Sequence, residues 1–218
     1  MESLIVLARG GAVVDKDGLA QAMVRDTLRF VDTWRHTQGG VDPNRRVIVL
    51  VDDAAVLDGA FDDGHDTAGD IDVVVVAADV TDQAAVKGAA DADFARGARA
   101  VAAITGRSPT LPSYLLDHAF RALQFEPVVV GPTADGAAWL VGLQRGSTAH
   151  LPPLGVPQAL SDENAREYGV DVNALALLPF WYVIPDVAAE ALPWMWHLEG
   201  GRRGDSKAEA TLSVLRRR

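Results

Sequence analysis

Along the chain, short runs of β-branched and other apolar residues alternate with longer stretches whose apolar positions recur every three or four residues. "SLIVLA" is followed by "GLAQAMVRDTLRFVDTW", then by "RRVIVLV" and "IDVVVVA", and then by "DQAAVKGAADADFARG", "ARAVAAI" and "PSYLLDHAFRAL". Apolar runs without alternation predict strands buried on both faces, and the stretches between them predict helices. The fold class is therefore α/β, a mainly parallel sheet with helices on both faces. In the first helix Ala20, Met23, Val24, Thr27, Leu28, Val31 and Trp34 share one face and predict a single core stripe.

The second half changes texture. "EPVVVGPTADGAAWLVGLQ" predicts strands from Pro127 to Val130 and from Ala137 to Leu143, joined by a turn with Pro132 and Asp135-Gly136. That hairpin makes the sheet mixed. "GSTAHLPPLGVPQAL" reads as loop, with a short helix from about Ser161 to Gly169 and a strand in "ALALLPF". A tryptophan-bearing segment "AAEALPWMWHLEG" follows, and residues 200–218 read as a loop plus a basic helix, "SKAEATLSVLRRR". A chain of 218 residues, about half apolar, is expected to form a single domain over 1–218.

Composition narrows the function classes. Twenty basic against 30 acidic residues give a formal charge of −10, which disfavours nonspecific contact with nucleic acid or anionic lipid. Without cysteine there is no disulfide framework and no thiol chemistry. "MESLIVLARGG" reads as a first strand rather than a signal peptide, and no apolar run is long enough to span a membrane. The expected setting is the cytoplasm. His36, His65, His118, His150 and His197 are scattered, so neither a hydrolase triad nor a zinc site has support.

Candidate binding residues come from position in the fold. Ligands of open α/β sheets bind beyond the carboxyl ends of strands. Arg9, Gly10 and Gly11 open the loop after the first strand, Asp52 and Asp53 end the second, and Arg107 follows "ARAVAAI" in "ITGRSPTL". Backbone N–H groups of the glycine loop suit a phosphate, although its spacing is neither that of a P-loop nor that of a dinucleotide fingerprint. Asp52 can face a base or ribose. The acidic stretch Asp52 to Asp72 around His65 lacks the ligand alternation of a calcium loop and reads as a solvated loop. Trp194 and Trp196 read as core or as a homodimer contact.

Two strings, "DADFARGARAVAAITGRSPTLPSYLLDHAFRAL" and "VVVGPTADGAAWLVGL", resemble the bacterial DUF2064 family, a glycosyltransferase A-like domain family related to nucleotide-diphospho-sugar transferases. The likeness runs from about Leu4 to Leu192. It implies a nucleotide or nucleotide-sugar ligand and the transfer of a glycosyl or nucleotidyl group. It also locates departures. The family's metal-site aspartate falls at Arg107 and a second aspartate at Thr110, while the C-terminal acidic string falls on "WYVIPD", which keeps only Pro185 and puts Val183 at a ligand position. No metal and no cofactor are therefore expected, and Arg107 either replaces part of the cation's charge on a diphosphate, or forms a salt bridge that closes a dead site, or is a plain solvated loop arginine. Asp135 is the acidic residue of the pattern still in place, either a catalytic group on an acceptor hydroxyl or a turn residue before Gly136. Two functions stay open: a metal-independent transferase, or a catalytically degenerate member acting as a binding or scaffold protein.

Overall fold

The computed structural model describes residues 1–9, 18–37, 40–57, 71–147, 152–156, 160, 175–184, 191, 194–195, 198 and 208–217. Strands β1 (Glu2–Leu7), β4 (Arg45–Val51), β5 (Ile71–Val75) and β6 (Ala100–Thr105) pair in parallel. β8 (Ala138–Gln144) runs antiparallel to both β6 and β7 (Val128–Pro132), and β9 (Leu175–Leu177) returns parallel to β7. The resulting mixed sheet has the order β5-β4-β1-β6-β8-β7-β9. A small ladder of β2 (His36–Thr37) and β3 (Gly40–Val41), and a 3-10 turn at Ala54–Leu57, were not visible in the apolar pattern. The helix expected from Ser161 to Gly169 and the loop at 201–205 lie outside the described residues.

Helices α1 (Leu19–Arg35) and α3 (Ser113–Ala122) cover one face of the sheet, and α2 (Asp82–Arg96) lies on the other. Local chemistry sets the limits of α2: the Thr81 hydroxyl accepts from Ala84 N at its start, and Gly97 takes a left-handed φ of 109° at its end. Alternate residues of the central strands feed the two cores. Leu4, Val6, Val49 and Ile104 pack beneath α1 and α3, whereas Ile5, Leu7, Leu50 and Ala103 pack beneath α2.

Two expectations need correction. The single stripe on α1 is a double one: Val24, Leu28, Val31 and Trp34 face the sheet, while Leu19, Ala22 and Met23 join a third core with the C-terminal helix α4 (Glu209–Leu215). Ala20 lies between these two surfaces and is only half-buried. β5 is not covered on both faces. As the outermost strand it leaves Val73, Val74 and Val75 42%, 43% and 60% exposed, because edge position denies it a neighbour on one side.

Helix α4 docks through a buried carboxylate. Asp26 on α1 accepts from Thr211 N (2.8 Å), Thr211 Oγ1 (2.7 Å) and Ala210 N (3.2 Å), satisfying donors of the first turn. Burial pushes the Asp26 carboxyl above the usual carboxylate range, against the opposing pull of these hydrogen bonds. The folded state then holds this proton more tightly than the unfolded chain does. Stability should accordingly fall as pH rises out of the ordinary carboxylate range and through the raised value. Thermal melting across that window should show the slope in wild type, and Asp26→Asn should flatten it; an unchanged slope in the variant would assign it to other groups.

Candidate nucleotide-binding site

The chain leaves β1 toward β4 and β5 on one side, then crosses back to β6 on the other, so the topological switch lies between β1 and β6. That is where an open α/β sheet leaves a crevice at the carboxyl ends. Register makes the crevice level. Leu7 pairs with Leu50 on one side and with Thr105 on the other, and Ala8 N and Gly106 N extend the ladders to Leu50 O (2.9 Å) and Leu7 O (2.8 Å). Arg9, Asp52 and Arg107 each stand two residues beyond this line, so three residues singled out in sequence share one edge of the sheet.

Arg9 is tied down within the protein. Its guanidinium pairs with Asp52, contacts Asp82 of α2 at 3.0 Å, and donates to Val80 O at 2.6 Å, with only 9% of the side chain exposed. Two carboxylates and a carbonyl thus hold the start of the β1 loop against the first turn of α2. Gly10 and Gly11 lie outside the described residues.

Arg107 is half-buried, and its surroundings join three parts of the chain. Its N–H donates to Thr105 Oγ1 (3.2 Å), its guanidinium Nη2 donates to Gly155 O (3.3 Å), and its carbonyl accepts from Ile184 N (2.9 Å). The preceding Gly106 sits in a tight place: a Cβ there would come 3.1 Å from Val24 Cγ2 and 3.2 Å from Leu7 O, so its neighbours would have to give by a few tenths of an ångström. Gly155 has a φ of +66°, and a Cβ on it would sit 2.5 Å from Arg107 Nη2 and 3.8 Å from Val183 Cγ1. Positions 107 and 183 are therefore neighbours. Here they carry a guanidinium and an isopropyl group, neither of which offers an oxygen to a divalent cation. Thr110, at the other carboxylate position, is hydrogen-bonded to the Tyr182 hydroxyl. Among the described residues, those at 107, 110 and 183 do not fit the metal that the resemblance implies for the family.

Tyr182 stacks between Trp181 (centroids 4.9 Å apart) and Trp194 (5.3 Å), and burial raises its phenol above the usual range despite the Thr110 contact. Trp194 thus serves the core reading, and Trp196 lies outside the described residues. Asp135 is exposed at the β7–β8 turn and accepts from Thr133 Oγ1 and from Ala137 N at 3.3 Å, ahead of Gly136 with a φ of 77°. Its turn role is visible in these contacts. Because β8 runs antiparallel to β6, the turn also lies toward the carboxyl edge of the sheet.

Asp82, Gly155 and Tyr182 were missed in the sequence. Each acts through a partner at least 48 residues away in the chain, and only the Pro-Pro-Leu-Gly string around Gly155 carried a local signal, one for a turn.

The fold, an α/β mixed sheet, is similar to that of a solved nucleotide-diphospho-sugar transferase and of related enzymes. A proposed transferase of that name from Desulfovibrio desulfuricans G20 superposes with a TM-score of 0.64 at 15% identity, covering 99% of this chain and 97% of that one. A 4-diphosphocytidyl-2C-methyl-D-erythritol synthase from Anaerococcus prevotii DSM 20548 gives 0.60 at 12% identity, over 91% and 98%. CMP:2-keto-3-deoxy-manno-octonic acid synthetase in complex with CTP gives 0.53 at 12% identity, over 91% and 97%. Residues 83–153, from α2 to the segment before Leu154, match the uncharacterized protein family conserved in bacteria, DUF2064, which bears out the resemblance read from the same strings. No curated protein matches the sequence. Among the described residues, no helix is long and apolar enough to cross a membrane.

Proposed function

We propose that the protein binds a nucleotide or nucleotide sugar across the carboxyl ends of β1, β4 and β6, and that it does so without a divalent cation. The observation that carries this reading is the level placement of Arg9, Asp52 and Arg107 around the switch point, with Arg107 beside Val183 where family members are expected to carry carboxylates. Arg107 would meet the diphosphate by charge-assisted hydrogen bonds. Gly10 and Gly11 would offer backbone N–H groups to it. Asp52 would receive a ribose or base donor while Arg9 holds it in place. Asp135 is the candidate to orient an acceptor hydroxyl, which would make the protein a glycosyl or nucleotidyl transferase. A second reading, binding without transfer, draws support from the contacts that engage Asp135 in its turn and Arg9 in ion pairs.

Thermal shift with nucleoside mono-, di- and triphosphates and nucleotide sugars, in EDTA and again in magnesium or manganese, tests the proposal. A ligand that binds only the folded state raises the melting temperature. Equal shifts with and without metal are expected. Shifts that appear only with metal would refute metal independence, and none in either condition would leave the scaffold reading.

A further inference from the structure

Residues 106–110, which carry Arg107 past the end of β6, are held by two other parts of the chain. On one side α1 reaches them, where the buried Thr27 Oγ1 donates to Gly106 O at 2.9 Å. On the other side stands the segment 182–184. Ile184 N donates to Arg107 O (2.9 Å), Ser108 Oγ donates to Tyr182 O (3.4 Å), and Thr110 Oγ1 shares a hydrogen bond with the Tyr182 hydroxyl. Both holding elements meet again at α4. Ile184 has no exposed surface and lies in the third core with Leu19 and Met23 of α1 and Leu212 and Leu215 of α4. Asp26, the residue before Thr27, is the buried carboxylate that accepts from Thr211 N (2.8 Å) and Thr211 Oγ1 (2.7 Å).

We infer that α4 braces the Arg107 loop, with Thr211 as a positioning residue that acts on Arg107 through Asp26 and Ile184. What the brace does for a ligand rests on the nucleotide-site reading; the brace itself does not. A two-point grip on phosphate needs a guanidinium whose own backbone is fixed. The Arg107 carbonyl takes its hydrogen bond from Ile184, and the side chain of Ile184 is anchored in the core that α4 completes. Loosening α4 takes packing partners from Ile184, so the 182–184 segment opens at a lower cost. The grip from α1 weakens with it, because Asp26 and Thr27 are consecutive residues of one helical turn. The coupling is also reciprocal: a ligand that fixes Arg107 must steady α4 by the same factor.

Amide hydrogen exchange on the intact chain tests the brace without any ligand. The amides to follow are those of Ile184 and of Leu111, which donates to Ser108 O within the loop at 3.2 Å. Thr211→Val keeps the shape of the side chain and removes its hydroxyl, and both amides should then exchange roughly twofold to tenfold faster, the worth of one hydrogen bond. Leu212→Ala should do the same independently, and Thr211→Ser, which keeps the hydroxyl, should stay near the wild-type rate. Val128→Ala, in the second core at the opposite end of the sheet, controls for a general loss of stability. Unchanged exchange at both amides, or equal acceleration in the control, overturns the brace. Titration calorimetry with the nucleotides and nucleotide sugars of the thermal-shift panel reads the ligand side: affinity should fall by a similar factor in Thr211→Val and recover in Thr211→Ser. Equal affinity in wild type and Thr211→Val overturns the positioning role and leaves the nucleotide reading standing. If the exchange pattern appears while no nucleotide binds wild type, the brace stands and the nucleotide reading falls.

Discussion

Trp139→Ala is expected to lower the free energy of unfolding by about 3–5 kcal/mol, the range for deleting a large buried aromatic side chain. Trp139 on β8 has no exposed surface, and its Nε1–H donates to Pro179 O at 3.3 Å. Its ring lies over Gly131 on β7, where a Cβ would come 2.2 Å from Trp139 Cε2. The glycine and the ring are one packing unit. Gly131→Ala alone should therefore be destabilising by about 1–3 kcal/mol through overpacking. In a Trp139→Ala background the obstruction is gone, and the same substitution should cost much less, a coupling of about 0.5–3 kcal/mol. Urea denaturation of the four proteins measures the cycle. Additive losses would show that Gly131 is not kept clear for the tryptophan.

That cycle bears on how motifs are read. "GPTADG" resembles a family string, yet Gly131 in it answers to Trp139, and Asp135 is engaged by Thr133 and Ala137 of its own turn. A string can mark a fold without marking chemistry. Regular strands were the most legible part of the chain. "RRVIVLV" is β4 at its full extent, and β1, β6 and β8 begin and end within two residues of their apolar runs, because a parallel or central strand must be apolar on both faces. Edge status was not legible. "IDVVVVA" is as apolar as its neighbours, and only the structure shows that Val73, Val74 and Val75 in it face solvent at the sheet edge.

The candidate site was legible as positions and not as contacts. Strand ends fix where Arg9, Asp52 and Arg107 stand, and the register places them on one line. What holds them comes from distant sequence: Asp82 lies 73 residues after Arg9, and Gly155 lies 48 after Arg107. Such pairings follow from how α2 and the 152–156 segment return over the sheet, which no local pattern encodes. The neighbourhood of Arg107 and Val183 has the same origin, distant segments brought together and joined by the Ile184 N–H to Arg107 O hydrogen bond at 2.9 Å.

Arg107→Asp is expected to abolish nucleotide binding, and the direction follows from the sign of the charge. Removing a charge-assisted contact costs about 1.5–3 kcal/mol, roughly tenfold to a hundredfold in affinity, and a carboxylate in its place adds repulsion of the diphosphate. The same change does not rebuild a metal site. Val183 beside it offers no oxygen, and Thr110 is already hydrogen-bonded to Tyr182, so a hard cation would be held by one side chain and bind weakly. Arg107→Lys separates charge from shape, since an ammonium keeps the attraction but lacks the planar fork that grips phosphate in two places. The expected order in titration calorimetry is wild type above lysine above aspartate, with magnesium restoring none of the loss in Arg107→Asp. Equal binding by wild type and Arg107→Asp would remove Arg107 from the phosphate site. Recovery with magnesium would mean that oxygens other than those of residues 110 and 183 converge on position 107, and that this arginine displaced a cation the fold still has room to hold.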